Sequence, residues 1–434
     1  MLFRQYANSF PFVSLRHEAE ATSMVNQRPM STLAICVVTC TRPPELQRCL
    51  VEAFRRALST KVIMEGRQSL DILVGLLIYL AWHQDYSDRA PIYQLTCLLA
   101  GLAADAGYYR QPGEDAEDAI DAVERDRAFL GCYTLSSGLS TTGFDKPSPL
   151  RWTNSLRLRA ARLANLGALT SDVTLISTTE LTHVLGSLQT DLGAFGVTNT
   201  PASIDKTKLY IQATQARLEA LQRDHPGLGR SLAFSAAKVH LHRYLLTSTN
   251  GADTSTLIDS ACAIKEYLDD ILARPPLTLH QMAIVDWTTL LDVLAVMGEI
   301  LRPLCEQKGW EPGAITSMLQ PGDLLDALCR HMAAVPAGDP LVPRHEDRLA
   351  ALQGICNGVK QRMPDDGTLA GKRVVQGEGA VTGHGHPPPG GGTFEGRFRA
   401  INEGGMNVGT RPLDLGRAGT SQQQRQGGVP DGYT

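Results

Sequence analysis

The 434 residues predict an all-α protein: one large multi-helix domain over 1–362, followed by a disordered Gly/Pro-rich tail over 363–434. Three observations carry this reading. Apolar residues recur at helical spacing almost throughout, no run of alternating β-branched residues bounded by tight-turn dipeptides occurs, and the composition changes abruptly near Pro364. No repeat of about 34 or about 40 residues recurs, which argues against a tetratricopeptide or HEAT array.

The clearest helix starts at Ser69, an N-cap residue type, with Asp71 in the first turn where the helix dipole favours a negative charge. Leu70, Leu73, Leu76, Leu77 and Leu80 follow at helical spacing, while Ile72, Val74 and Ile78 fill the other sides. A helix apolar all round belongs inside a large body. The polar stretch 83–90 breaks it, and Pro91 suits the first turn of the next helix, which carries Ile92, Leu95, Leu98, Leu99, Leu102 and Ala106. Gly107 stands where a left-handed C-terminal cap falls, so 69–107 reads as an antiparallel helical hairpin and the most buried part of the body. A third helix runs from about 118 to 140 and ends at the turn formers of 143–149. Amphipathic segments follow at 153–166, 173–192, 203–223, 231–247, 256–273, 279–308, 323–335 and 344–362, with 196–201 and 247–254 as loops. Of the 71 residues from Pro364 onward, 18 are Gly, a composition that buries too little apolar area to offset the entropy of ordering.

Hydrophobic residues at 43% supply ample core, and a net charge of −4 creates no field that draws the chain onto a polyanion. The basic spots Arg55-Arg56 and Lys372-Arg373 are too short for a nuclear-localisation patch or a phosphate stripe. The longest apolar run, 72–82, falls well short of the roughly 20 residues that span a bilayer, so no membrane partner is expected. The nine cysteines are Cys36, Cys40, Cys49, Cys97, Cys132, Cys262, Cys305, Cys329 and Cys356. Their odd number and apolar surroundings suggest reduced core thiols. Cys36 and Cys40 share a helical spacing, but no CxxC occurs to start a zinc site.

From Ser69 to Trp82 the sequence is similar, nearly residue for residue, to the Ser-Leu-x-x-Leu-x-Gly-Leu-Leu-x-Tyr-Leu-Ala-Trp helix of fungal binuclear zinc-cluster transcription factors. It lies in their regulatory middle domain. Phe10-Pro11-Phe12-Val13, Gln27-Arg28-Pro29-Met30, Ala104-Asp105-Ala106-Gly107-Tyr108-Tyr109-Arg110 and Arg127-Ala128-Phe129-Leu130-Gly131-Cys132-Tyr133 resemble further elements of that domain, with Pro147 near its exit. Asp286-Trp287-Thr288-Thr289-Leu290-Leu291, followed by Gly309-Trp310, resembles a late helix of regulators of fungal biosynthetic gene clusters. The resemblance spans roughly 3–310. It implies a helical, non-catalytic transcription regulator acting in the nucleus. The family's six-cysteine finger, opening C-x2-C-x6-C and binding zinc, is not found in these residues, so no cofactor is expected here. Sequence readout needs an element that enters a groove and cations that neutralise phosphates. DNA contact is therefore expected only indirectly or through a finger encoded elsewhere. The expected partners are a related full-length transcription factor or the transcription machinery, and a small-molecule effector. The alternative reading is a helical interaction or metabolite-sensing module that modulates a full-length regulator.

Enzyme chemistry finds no purchase. A terpenoid-synthase site needs Asp-Asp-x-x-Asp to hold magnesium and a diphosphate, and Asp269-Asp270-Ile271-Leu272-Ala273 ends on Ala273. Glu114-Asp115-Ala116-Glu117-Asp118 reads as a solvated helix start. His240 and His242, two apart on a helix, face different ways, and His384 and His386 sit in the tail. Gly186-Ser187 and Gly138-Leu139-Ser140 are small helix or loop residues, with no nucleophile elbow. No catalytic, cofactor-binding or metal residue is assigned.

Overall fold

The computed structural model describes residues 2–13, 21–40, 43–83, 92–110, 119–144, 146–167, 169–194, 201–248, 254–301, 317–335 and 345–361. All regular structure among them is helical. The first half contains α1 (Leu2–Ala7), α2 (Ala21–Gln27), α3 (Pro29–Thr39), α4 (Pro44–Leu58), α5 (Leu70–Ala81), α6 (Ile92–Asp105), α7 (Ala119–Gly138) and α8 (Asn154–Leu166). The second contains α9 (Asp172–Ala194), α10 (Pro201–Asp224), α11 (Leu232–Ser248), α12 (Thr254–Leu272), α13 (Leu277–Gln281), α14 (Ile284–Leu301), α15 (Pro321–Ala333) and α16 (His345–Lys360). The tail expected from 363 onward lies outside the described residues, as do Pro91 and most of the two expected loops.

Helix α5 is the axis of the first half. Ser69 is extended (φ −155°, ψ 155°) and its hydroxyl accepts the Ile72 N–H at 3.2 Å, so the N-cap reading holds. Every residue from Ile72 to Ala81 is buried. Asp71 does more than complement its own helix. Its two carboxylate oxygens accept the N–H groups of Met30 and Ser31, each at 2.9 Å, and so cap α3, whose N-cap residue Arg28 offers no side-chain bond. Gly75 permits that approach: a Cβ there would lie 2.9 Å from the Met30 carbonyl carbon and oxygen. The main partner of α5 is thus α3, for which the sequence reading set no boundaries, rather than α6. Periodicity within one segment cannot say which distant segment it packs against.

Trp82 closes the end of α5. The rings of Phe3, Tyr6 and Phe10 meet it edge-on at 5.6, 5.9 and 6.2 Å. Its indole N–H donates to the Gln281 carbonyl at 3.1 Å, which also accepts the Ser9 hydroxyl at 2.6 Å. The single late helix expected at 279–308 is therefore interrupted. Gln281 ends α13, Met282 turns extended (ψ 136°), and α14 restarts at Ile284, with Asp286 accepting the Ala283 N–H at 3.3 Å. The interruption leaves the Gln281 carbonyl free for its two long-range donors. Residues 302–316 lie outside the described residues.

His83 corrects another expectation. It was assigned to a polar break, yet it is fully buried against the Tyr79 ring at 5.6 Å, and burial, with Arg55 nearby, pushes its imidazole down to about 3. Gly107 takes φ 73°, with Tyr108 N–H on Ala103 O and Gly107 N–H on Ala104 O, the paired bonds of a left-handed helix stop. At the end of α7 the helix widens into a π-helical turn, Leu139–Phe144, and ends within the turn formers expected at 143–149. There a Cβ on Gly138 would lie 2.7 Å from Val285 of α14, and the Thr142 and Thr288 hydroxyls meet at 2.8 Å.

Three apolar clusters hold the helices. The first gathers α1 and α3–α8, the second α12–α16, and the third α9 with α10. Three helices join them. Helix α9 gives Leu175 to the first and Leu181, Val184 and Leu188 to the third. Helix α11 gives Phe234, Ala237 and Leu241 to the third and Ala236 and Val239 to the second. Helix α14 gives Ile284 to the first and Leu290, Val293 and Leu294 to the second.

Candidate functional site

The residues weighed for chemistry are occupied structurally. Asp269 pairs with Lys265 one turn back at 2.8 Å, and Asp270 accepts the Ser235 hydroxyl at 2.7 Å, which ties α12 to α11. His240 places Nδ1 2.9 Å from Asp292, both buried, and the other Asp292 oxygen takes the half-buried Arg243, so the trio bridges α11 and α14. Among the described residues, no group of three or more His, Cys, Asp or Glu is arranged to hold a metal. Glu114–Asp118, His384 and His386 lie outside the described residues. The expectation of core thiols fails for most cysteines. Only Cys132 and Cys356 are buried; Cys36, Cys49, Cys97 and Cys262 are exposed, Cys40 and Cys329 are half-buried, and Cys305 lies outside the described residues. On α6 it is Thr96 that turns inward, 1% exposed with its hydroxyl on the Ile92 carbonyl, which leaves its neighbour Cys97 facing solvent.

Polar order is concentrated where α7, α8 and α9 meet. Asp126 and Arg127 are consecutive on α7, and both are buried. Arg127 donates through Nη2 to both oxygens of Asp172 at 2.9 Å and through Nε at 3.1 Å. The Leu169 N–H adds a further bond to Asp172 at 3.0 Å. Asp126 takes Arg159 and Arg162 from α8. Arg159 also donates to the Arg110 carbonyl at 2.8 Å and lies over the Phe129 ring at 5.6 Å. Buried charges survive only when paired and hydrogen-bonded, and these are. The sequence singled out Arg127 within a family pattern; its partner Asp172, 45 residues on, carried no signal.

Beside this network a groove of about 400 Å³ opens between α8, α9 and α10. Its lining includes a stacked pair: Trp152 and His183 lie face to face with centroids 4.3 Å apart and planes within 4°. Burial and the charge of Arg217 push the His183 imidazole down to about 4, so it is neutral at physiological pH, where it stacks without a charge to solvate. Arg157, held by Glu180 at 3.1 Å, and Arg217 line the rim. The Ser187 hydroxyl donates to the His183 carbonyl at 2.6 Å, a bond within the helix, and lies 3.3 Å from His183 Nδ1. Sequence reasoning missed the groove because Trp152 precedes α8 and His183 lies inside α9, and only tertiary packing stacks them.

Two curated relatives are similar to parts of this chain. Transcription factor himD of Aspergillus japonicus is 29% identical over 142 residues, covering 30% of this chain and 24% of that protein. A transcription factor of Aspergillus terreus is 32% identical over 93 residues, covering 21% of this chain and 16% of that protein. The chain thus spans about a quarter and about a sixth of the length of these relatives. No family model matches the chain, and no solved structure matches it. The similarities support a relation to fungal transcription factors.

Proposed function

We propose that this chain is the regulatory helical body of a zinc-cluster type transcription regulator, acting in the nucleus on a biosynthetic gene cluster and catalysing no reaction. The observation that carries the reading is the similarity to two Aspergillus proteins named as transcription factors. The structure is consistent with a scaffold role for the residues of the resemblance: the helix is buried on every side from Ile72 to Ala81, and Trp82 is clamped by three aromatic rings. Such residues build a body; they do not read bases. These 434 residues contain neither the six-cysteine finger pattern nor a run of basic residues longer than two. Recruitment to a promoter then goes through a full-length relative or the transcription machinery, or through a finger encoded outside these 434 residues. Purified chain should retain duplex DNA weakly and without sequence preference at physiological salt. Tight, sequence-selective binding by this chain alone would refute the restriction.

A metabolite-sensing role is the second reading, and the Trp152–His183 plate between two arginines favours it. Flat aromatic carboxylates suit it, since the plate stacks the ring and a guanidinium takes the carboxylate. Titration with 2-naphthoate should give a saturable change in tryptophan fluorescence that Trp152→Ala removes. A change that persists in the variant places the probe elsewhere and defeats this reading.

A further inference from the structure

The function proposed above leaves the cysteines unused, and two of them sit together. Cys329 lies on α15 and Cys356 on α16, helices that pack against each other in the second core. Cys356 is 1% exposed and Cys329 is half-buried, and the two thiols interact across the α15–α16 contact. Asp326, three residues before Cys329, and Lys360, four after Cys356, form an ion pair across the same two helices, so the faces bearing the thiols are held in register. On the other side a cleft of about 460 Å³, lined by Asp323, Asp326, Cys329, Arg330 and Gln353, opens onto Cys329 alone of the two.

The two sulfurs are unlike. Interaction with Cys356 lowers the Cys329 thiol below its ordinary value, and the Lys360 ammonium acts in the same direction. The same interaction, with burial, pushes Cys356 far up. A solvent-reached thiol of lowered pKa next to a buried partner has the layout of an attacking and a resolving cysteine. Cys36 and Cys40, four apart on α3, lack this division, for burial raises both.

We propose that Cys329 and Cys356 are a redox modification site, oxidised by a peroxide to a reversible disulfide that joins α15 to α16. The Cys329 thiolate attacks one oxygen of hydrogen peroxide, the O–O bond breaks, and the departing hydroxide takes a proton to leave as water. Cys329 is then a sulfenic acid. The Cys356 sulfur attacks the Cys329 sulfur, the S–S bond forms as the S–O bond breaks, and the Cys356 proton leaves with the hydroxyl as a second water. Two thiols and one peroxide thus give one disulfide and two waters. A dithiol reductant reverses the step by exchange.

The test uses the full chain, reduced, desalted, exposed to hydrogen peroxide, blocked with N-ethylmaleimide and digested with trypsin. Tryptic peptides 309–330 and 349–360 contain one cysteine each, Cys329 and Cys356. They should appear joined, two hydrogens lighter than their sum, and separate again after dithiothreitol. In Cys356→Ser, Cys329 should accumulate as a sulfenic acid that dimedone captures; in Cys329→Ser, Cys356 should stay a thiol. The mapping on the unaltered chain needs no variant to fold. Recovery of both peptides in the maleimide-blocked form, while other cysteines oxidise, would overturn the proposal. Faster oxidation of Cys356 than of Cys329 would overturn the assigned roles.

Discussion

Replacing Arg127 by Met tests whether the ion network, and not the surrounding apolar contacts alone, holds α7 against α9. Asp172 is 0% exposed and receives three of its four hydrogen bonds from Arg127, so the variant leaves a buried carboxylate with only the Leu169 N–H. Two unit charges about 4 Å apart attract by about 4 kcal/mol at an effective dielectric of about 20, and removing one partner of such a buried pair costs about 3–5 kcal/mol. At about 2.1 cal/mol/K of unfolding entropy per residue, a body of about 360 residues shifts its melting temperature by about 1–2 °C per kcal/mol, so the drop should be about 4–7 °C. The double variant Arg127→Met, Asp172→Leu removes the stranded charge and should recover most of that loss, because a buried pair exchanged for apolar side chains is often neutral. Melting followed by circular dichroism at 222 nm reads helix loss directly. A melting temperature unchanged by Arg127→Met, or a double variant no better than the single one, would refute the reasoning.

His83 supplies a second, independent test through pH. Its folded value of about 3 lies below its unfolded value, so its stability contribution is complete above about 6.5 and is lost as the pH falls toward 3. At pH 5 the loss reaches about 2 kcal/mol by linkage. The non-titrating His83→Gln should therefore show a flatter decline between pH 7.5 and 5 in urea melts, whatever its stability at pH 7.5. Parallel declines in the two proteins would mean that His83 opens to solvent in the native state.

How much was legible in the sequence follows from the range over which each cause acts. The class of fold, the start of α5 at Ser69, the left-handed stop at Gly107 and the extents of α8 and α11, within a residue or two, rest on causes acting within a turn or two of helix. Capping, φ preference and the 3.6-residue period are local, so the chain alone sets them. Partners are another matter. That Asp71 caps α3, that Gln281 breaks a helix to receive Trp82 and Ser9, and that Arg127 finds Asp172 depend on which surfaces meet. So do the Trp152–His183 plate and the Cys329–Cys356 pair. Apolar burial is non-directional: it tells a residue to go inside without saying beside what. The side of α6 that carries Cys97 shows the limit, for a thiol and a hydroxyl stand next to each other and the structure buries the hydroxyl, because Thr96 satisfies it on the Ile92 carbonyl. Sequence determined that this protein is a helical body; tertiary packing alone decided where its charges pair, where its groove opens and which thiols meet.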